Sequence, residues 1–311
     1  MESCFTYIRC VGRDYSLRED YVAQPRLWRY GLRSATVEKV ISGCVWLIGG
    51  TSESALLAER LAAAGLPFVV TVATASAQGL YAETAPVFVG ALSASEMAEF
   101  VQKWRVRCIL DASHPFADRV SRQAIALMQS WNNDPNKNDG IDYIRYERLA
   151  ISSCSQSTVQ KPEDNVIYVD SLDNLTKTDI LHHQRVLFTV GYRYLAQFAP
   201  LRQTSVLFAR VLPSVEAISG AIAAGFSSKE MIALRPPVSP AVETALWQQW
   251  NITCVVAKAS GTAGGEETKR AIAAKLGTQL ILVNRPQLMY PNQTNSIPIA
   301  IEFCLKALSL Y

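Results

Sequence analysis

The sequence predicts a doubly wound α/β protein of two domains, with largely parallel sheets and a cleft between them as the default ligand site. Three observations carry this expectation. Short runs of continuous hydrophobics alternate with helical stretches along most of the chain, the pattern of strands covered by helices on both faces. The chain has 311 residues, about two domains by the usual size relation. Hydrophobic residues make up 49% and charged residues 18%, which supplies two cores and argues against disorder.

Residues 1–44 stand apart. They mix arginines, acids and aromatics without a period of 2 or 3.6, and read as a weakly ordered extension or a start assigned too far upstream. The stretch is too acidic for a transit peptide and lacks the basic-then-apolar layout of a signal peptide. From Val45 the rhythm sets in. VWLIG, PFVVTVA, PVFVG, CILDA and DYIRYERL are the strands expected of a first domain over 45–180. VLFTVG, SVLFARV, MIALR, TCVVAK and QLILVN are those of a second over 181–311. SASEMAEFVQKW and PAVETALWQQW are helices between them, the latter with Ser239 as N-cap and Pro240 at N1. DPNKNDG (134–140) is a surface turn inside the first domain. The polar stretch from Ser171 to Gln184 marks the boundary.

Composition also excludes partners. The net charge of +3, with no Lys/Arg block, argues against nucleic acid. The seven cysteines form no C-x-x-C and the three histidines no H-E-x-x-H, so neither a metal site nor a disulfide framework is expected. No apolar run approaches the roughly 18 residues of a membrane span. The expected location is the reducing cytoplasm.

Three loops carry the chemistry. GGTSES (49–54) follows the first strand and opens a helix. Gly49 and Gly50 permit a sharp bend and close approach of an anion, while Thr51 and Ser52 cap the helix whose amides favour a pyrophosphate. The plainer reading is a turn that needs glycine for packing alone. The second strand ends in VATASA, with no acid to hold a ribose diol until Glu83, so NAD is disfavoured. Thr74 and Ser76 offer hydroxyls to a 2′-phosphate instead, although no Lys or Arg lies between Leu61 and Gln102. In the second loop, DASHPFA (111–117), Pro115 keeps His114 extended at a strand's carboxyl end. There His114 either faces a ligand or ties its own turn. Third, strands of the second half end beside Arg193, Arg210, Arg235, Lys258 and Arg285, a row of cations suited to a substrate with several carboxylates. The plainer reading is that strand ends are polar. The following ASGTAGGEETK lacks the G-K-[ST] of an ATPase loop.

GGTSES, DASHPFA, TVGYRYLAQF (189–198), ARVLP (209–213) and KASGTAGGEETK (258–269), in this order, resemble the precorrin-6A reductase family of cobalamin biosynthesis. The resemblance runs from Val45 to the C-terminus, and implies two Rossmann-like domains with an active-site cleft between them, the cofactor on the first and the macrocycle in the cleft. It implies NADPH-dependent reduction of one macrocycle double bond, precorrin-6A becoming precorrin-6B, with a cobalt-containing substrate equally open. It implies that Gly49, Gly50, Thr51, Ser52, Glu53, Thr74, Ser76, Ser113 and His114 serve the cofactor. His114 would either orient the nicotinamide or relay a proton. Tyr192, Arg193, Arg210, Lys258, Ser260, Gly261 and Lys269 would serve the tetrapyrrole. The chain departs from the family at Pro236-Pro237-Val238-Ser239 and at Ala257 and Ala259, which bears on the substrate pocket. Two rival readings are another NADP-dependent reductase of a polyanionic substrate and a non-catalytic tetrapyrrole or nucleotide carrier.

Overall fold

Two six-stranded sheets, with every strand pairing parallel, organise the computed structural model. It describes residues 43–81, 85–137, 139–148, 165–261 and 264–309. The expected extension 1–44 falls outside them except for its last two residues. The first sheet contains β1 (Cys44–Ile48), β2 (Phe68–Val72), β3 (Val87–Val89), β4 (Val106–Asp111), β5 (Asp142–Tyr146) and β12 (Gln293–Thr294). The second contains β6 (Val166–Val169), β7 (Arg185–Phe188), β8 (Val206–Val211), β9 (Met231–Ala233), β10 (Cys254–Lys258) and β11 (Gln279–Val283). The helices are α1 (Ser52–Ala63), α2 (Ala75–Gln78), α3 (Ala94–Trp104), α4 (Asp118–Asn132), α5 (Leu172–Leu175), α6 (Val215–Ala223), α7 (Pro240–Gln249), α8 (Glu266–Leu276) and α9 (Ile297–Leu308).

Each expected hydrophobic run forms a strand because its successive side chains enter different cores. In β1, Val45 and Leu47 meet Leu57 and Leu61 of α1. Trp46 and Ile48 point the other way, to Met97 and Phe100 of α3 and Ile125 of α4. A strand covered on both faces has no solvent side, hence no polar alternation. The caps follow the sequence: Thr51 opens α1, Ser93 opens α3, and Ser239 with Pro240 opens α7.

Two strands went unforeseen, and they change the domain division. β6 precedes the expected boundary at 180 yet pairs with β11 in the second sheet. β12 pairs with β5, and α9 buries Ala300, Cys304 and Leu308 against β1 and β4. The chain therefore enters the second unit before residue 166 and returns to the first for its last described strand and helix. The split into 45–180 and 181–311 does not follow the strand pairing. Both swapped strands are short sheet-edge segments with incomplete burial, so neither carries the unbroken apolar run that betrays a central strand.

The strand orders locate the ligand crevices. The first sheet reads β3-β2-β1-β4-β5-β12, and the second β9-β8-β7-β10-β11-β6. The order reverses between β1 and β4 in one, and between β7 and β10 in the other. In open parallel sheets, ligands lie beyond the carboxyl ends of the strands at such a reversal.

Candidate functional site

The first crevice lies between the loops leaving β1 and β4. Gly50 has φ +108° and open space where a side chain would project. Gly49 is needed for a different reason: a Cβ there would collide with the Tyr81 hydroxyl. That hydroxyl accepts from the Gly50 amide at 2.7 Å and bonds to the Ser54 hydroxyl. Thr51 Oγ1 accepts from the Ser54 amide at 3.1 Å and donates to the Ala112 carbonyl at 3.0 Å. Ser54 Oγ accepts from the Thr51 amide at 2.9 Å. The Gly49 amide is bound to the Thr71 carbonyl at 2.9 Å. The amides of Gly49, Gly50 and Thr51, expected to hold phosphate, are thus occupied. Among the described residues only Ser52 and Glu53 open α1 with amides lacking an acceptor, the polarity a helix start offers an anion. The glycines shape the turn, and these two amides are the donors it leaves open. The Glu53 carboxylate pairs with Arg148 at 3.2 Å and accepts from the Ser52 hydroxyl at 3.1 Å. Thr74 and Ser76, just past β2, are exposed and lie 3.1 Å apart, oxygen to oxygen. Open space above Gly50, two unengaged amides and a hydroxyl pair at the end of β2 fit a phosphorylated dinucleotide.

Asp111 ends β4 with no exposed surface. It accepts from the Ser113 amide at 3.0 Å, Ser121 Oγ at 2.6 Å, Tyr143 OH at 2.7 Å and Arg145 Nη1 at 2.8 Å. Burial pushes its carboxyl up, but Arg145 and the hydrogen bonds from Ser121, Tyr143 and Ser113 prevail and hold it below the usual range. Arg145 Nη1 also donates to Ser113 Oγ at 2.9 Å. The Ser113 hydroxyl, expected at the cofactor, is therefore anchored beneath its loop.

His114 stands above this buried pair. Its Nδ1 accepts from the Phe116 amide at 3.2 Å, which leaves the proton on Nε2. Burial, followed by the charges of Arg148, Lys258, Arg145 and Arg285, pushes its pKa down to about 3. The ring is neutral at physiological pH and presents a single N–H.

The second crevice mirrors the first. Gly191, at φ +92°, turns the chain out of β7 into the short 3-10 turn Tyr192–Tyr194. The Tyr192 ring lies so close to Gly220 of α6 that a Cβ there would strike it. Arg193 is exposed and donates to Tyr192 OH at 3.3 Å. Lys258 ends β10 with Nζ 4.6 Å from the Tyr194 ring centre and 5.0 Å from that of Phe116. One ring comes from each unit, so this ammonium marks where the crevices meet. Burial and then Arg193 push its pKa down to about 8.

The other expected cations have different partners. Arg210 lies inside β8 and is ion-paired with Glu243 of α7, whose carboxylate also accepts from Trp247 Nε1 at 3.3 Å. Lys269 is buried under the glycine-rich loop, donating to the carbonyls of Gly264 at 3.0 Å and Gly265 at 3.3 Å. Gly261 donates its amide to Glu266 at 3.0 Å. Ser260 Oγ turns back to the Lys258 carbonyl at 3.3 Å. Arg285 pairs with Glu147 at 2.7 Å, and Arg235 lies exposed just past β9. Of the predicted row, Arg193 is exposed and Lys258 lies between two rings, whereas Arg210 is spent on Glu243 and Lys269 on the loop carbonyls. Lys269→Met is accordingly expected to cost about 1–3 kcal/mol of stability, through loop carbonyls left without a donor. Urea denaturation measures this, and a raised KM at unchanged stability would instead place Lys269 on the substrate.

Sequence reasoning missed Tyr81, Asp111, Arg145, Glu147 and Arg148. One signal was present: Arg145 interrupts the apolar run YIRY, and a charge inside a buried strand demands a buried counter-charge. Among the described residues, no three His, Cys, Asp or Glu side chains are grouped to hold a metal, and no helix is long and apolar enough to cross a membrane.

Comparison with known proteins agrees with this fold. The family model described as precorrin-6x reductase CbiJ/CobK matches residues 44–305. A cobalt-precorrin-6A reductase of Synechocystis sp. is 41% identical over 266 residues, which cover 85% of this chain and 97% of that protein. A cobalt-precorrin-6A reductase of Priestia megaterium is 30% identical, covering 79% and 92% respectively. A precorrin-6A reductase of Rhodobacter capsulatus is 25% identical, covering 77% and 87%. The solved structure of a CobK precorrin-6A reductase superposes with a TM-score of 0.66 at 22% identity, over 86% of this chain and 98% of that one, and so shares the fold. With the family model matching residues 44–305 and a relative 41% identical over 97% of its own length, this protein is a member of the precorrin-6x reductase CbiJ/CobK family, oxidoreductases that use a nicotinamide cofactor.

Proposed function

We propose that the protein reduces one macrocycle double bond of cobalt-precorrin-6A with NADPH, in the cleft between the two crevices. The observation that carries this reading is Lys258, an ammonium set between Phe116 of the dinucleotide unit and Tyr194 of the other. It offers a cation, and two aromatic faces, to a flat polycarboxylate laid over the first crevice. The names of the 41% and 30% identical relatives favour the cobalt form, while that of the Rhodobacter capsulatus relative keeps the metal-free substrate as the second reading.

The nicotinamide, when bound, supplies the hydride; the protein binds and orients the reactants. The amides of Ser52 and Glu53 hold the diphosphate, and Thr74 and Ser76 hold the 2′-phosphate. His114 orients through its Nε2–H as a neutral donor, because it has no second proton to give near pH 7. Lys258 and Arg193 bind the substrate carboxylates.

Anaerobic mixing of the pure protein with NADPH and each corrinoid tests the reading. Stoichiometric NADPH oxidation with a shifted corrinoid spectrum supports it. Binding of both without NADPH loss means a carrier, and oxidation driven only by other polyanions means a different reductase. Combined Thr74→Val and Ser76→Ala substitution is expected to weaken NADPH binding about tenfold or more, through lost hydrogen bonds to a charged phosphate. NADH binding should stay unchanged, and calorimetry with each nucleotide decides.

A further inference from the structure

Glu147 lies one residue past β5 and uses its two carboxylate oxygens in opposite directions. Oε2 accepts from Arg145 Nε of its own sheet at 2.8 Å. Oε1 accepts from Arg285 Nη1, past β11 of the other sheet, at 2.7 Å. On the far side, Arg285 Nε donates to the carbonyl of Ala259, next to Lys258, at 2.9 Å. On the near side, Arg145 Nη1 donates to Ser113 Oγ, next to His114, at 2.9 Å. An unbroken hydrogen-bonded path thus joins the two loops where cofactor and substrate would meet, through the Glu147 carboxylate, and Arg285 Nη1 adds a second link across the units by donating to the Arg148 carbonyl at 2.8 Å.

The charges are matched. Asp111 and Glu147 balance Arg145 and Arg285, all with side chains at most 15% exposed. Charge-assisted bonds in such a setting fix distance and direction. The neighbouring contact of Phe116 with the second core is apolar and tolerates sliding. The two chain crossings between the units leave from the carboxyl ends of β5 and β11, with Glu147 and Arg285 at their starts, and the ion pair clamps one crossing to the other.

We infer that the Glu147–Arg285 ion pair is the strut that sets the gap between the His114 loop and the Lys258 loop, making both residues positioning residues for hydride transfer. This rests on the proposed reaction. Neither side chain needs to touch cofactor or substrate. A change in the gap alters the approach of the reacting carbons, and a displacement of about 1 Å can cost on the order of 100-fold in rate.

The test uses the full chain with Glu147→Gln, Arg285→Gln and the double variant. Hydrogen exchange without ligands comes first. Loss of the strut speeds exchange at both 111–116 and 258–261 in each single variant, while faster exchange confined to 145–148 overturns the inference. With NADPH and corrinoid, kcat is expected to fall on the order of 10- to 100-fold, with NADPH affinity within about twofold of wild type. The double variant should be no slower than the worse single one, and losses that multiply overturn the inference. Arg285→Lys, which keeps the charge but not both donors, should lie between wild type and Arg285→Gln. If wild type itself oxidises no NADPH with either corrinoid, the proposed reaction fails, and the exchange experiment still judges the strut.

Discussion

Arg145→Met is expected to destabilise the protein by about 3–5 kcal/mol near neutral pH, the cost of leaving one half of a buried ion pair behind. Arg145 has 1% of its side chain exposed and Asp111 none. Without the guanidinium, the Asp111 carboxylate keeps Ser121, Tyr143 and the Ser113 amide as donors but loses its counter-charge. The pH dependence identifies the cause. In the native protein the Asp111 carboxyl is held below its ordinary value, so its contribution is present above the unfolded pKa of about 3.9 and is lost as pH falls through the lower folded value. In Arg145→Met, burial dominates and raises that carboxyl. The variant is then relatively most stable when Asp111 is protonated, and falls behind as pH rises through the raised pKa. Urea denaturation at pH 4.5 and 7.5 should therefore show a larger gap from wild type at the higher pH. An equal gap at both would mean that lost packing, not stranded charge, is responsible.

Lys258→Met is expected to raise the corrinoid KM by about 10- to 100-fold, the value of a hydrogen bond to a charged group, with little change in NADPH affinity. Stability should not suffer. The ammonium is partly desolvated and its pKa is pushed down to about 8, so the fold itself disfavours this charge. The same shift makes a prediction in wild type. The cation is present below about pH 8 and lost above it, so kcat/KM should decline on the alkaline side, and that limb should vanish in Lys258→Met. On the acid side, His114 should add no inflection near its ordinary value of about 6.5, because it stays neutral down to about pH 3. A flat alkaline profile in wild type would remove Lys258 from the substrate site.

The legible parts of this protein share one property. The central strands, α1, α3 and α7, and the glycine turn are each specified by residues close together in the chain. VWLIG must be buried on both faces, Ser93 caps three residues ahead, and Gly50 needs a positive φ whatever surrounds it. Even so, the turn was read incompletely. That its amides would be satisfied by Tyr81 and Ser54 depends on a residue some thirty positions downstream. The cationic row has the same character. Arg210, Lys258, Lys269 and Arg285 look alike as letters, and only Glu243, the loop carbonyls and Glu147 distinguish a structural cation from a free one.

The chain's own pattern determined the α/β class, the parallel sheets, the order of most elements and the residue types at each strand end. These follow from local burial periodicity and backbone preference. Tertiary structure alone decided the exchange of β6 and β12 between sheets, the meeting of Phe116, Tyr194 and Lys258, and the path through Glu147. The reason is electrostatic and geometric: whether a charge is spent or available depends on what lies within about 4 Å of it, and here those neighbours come from segments far apart in sequence.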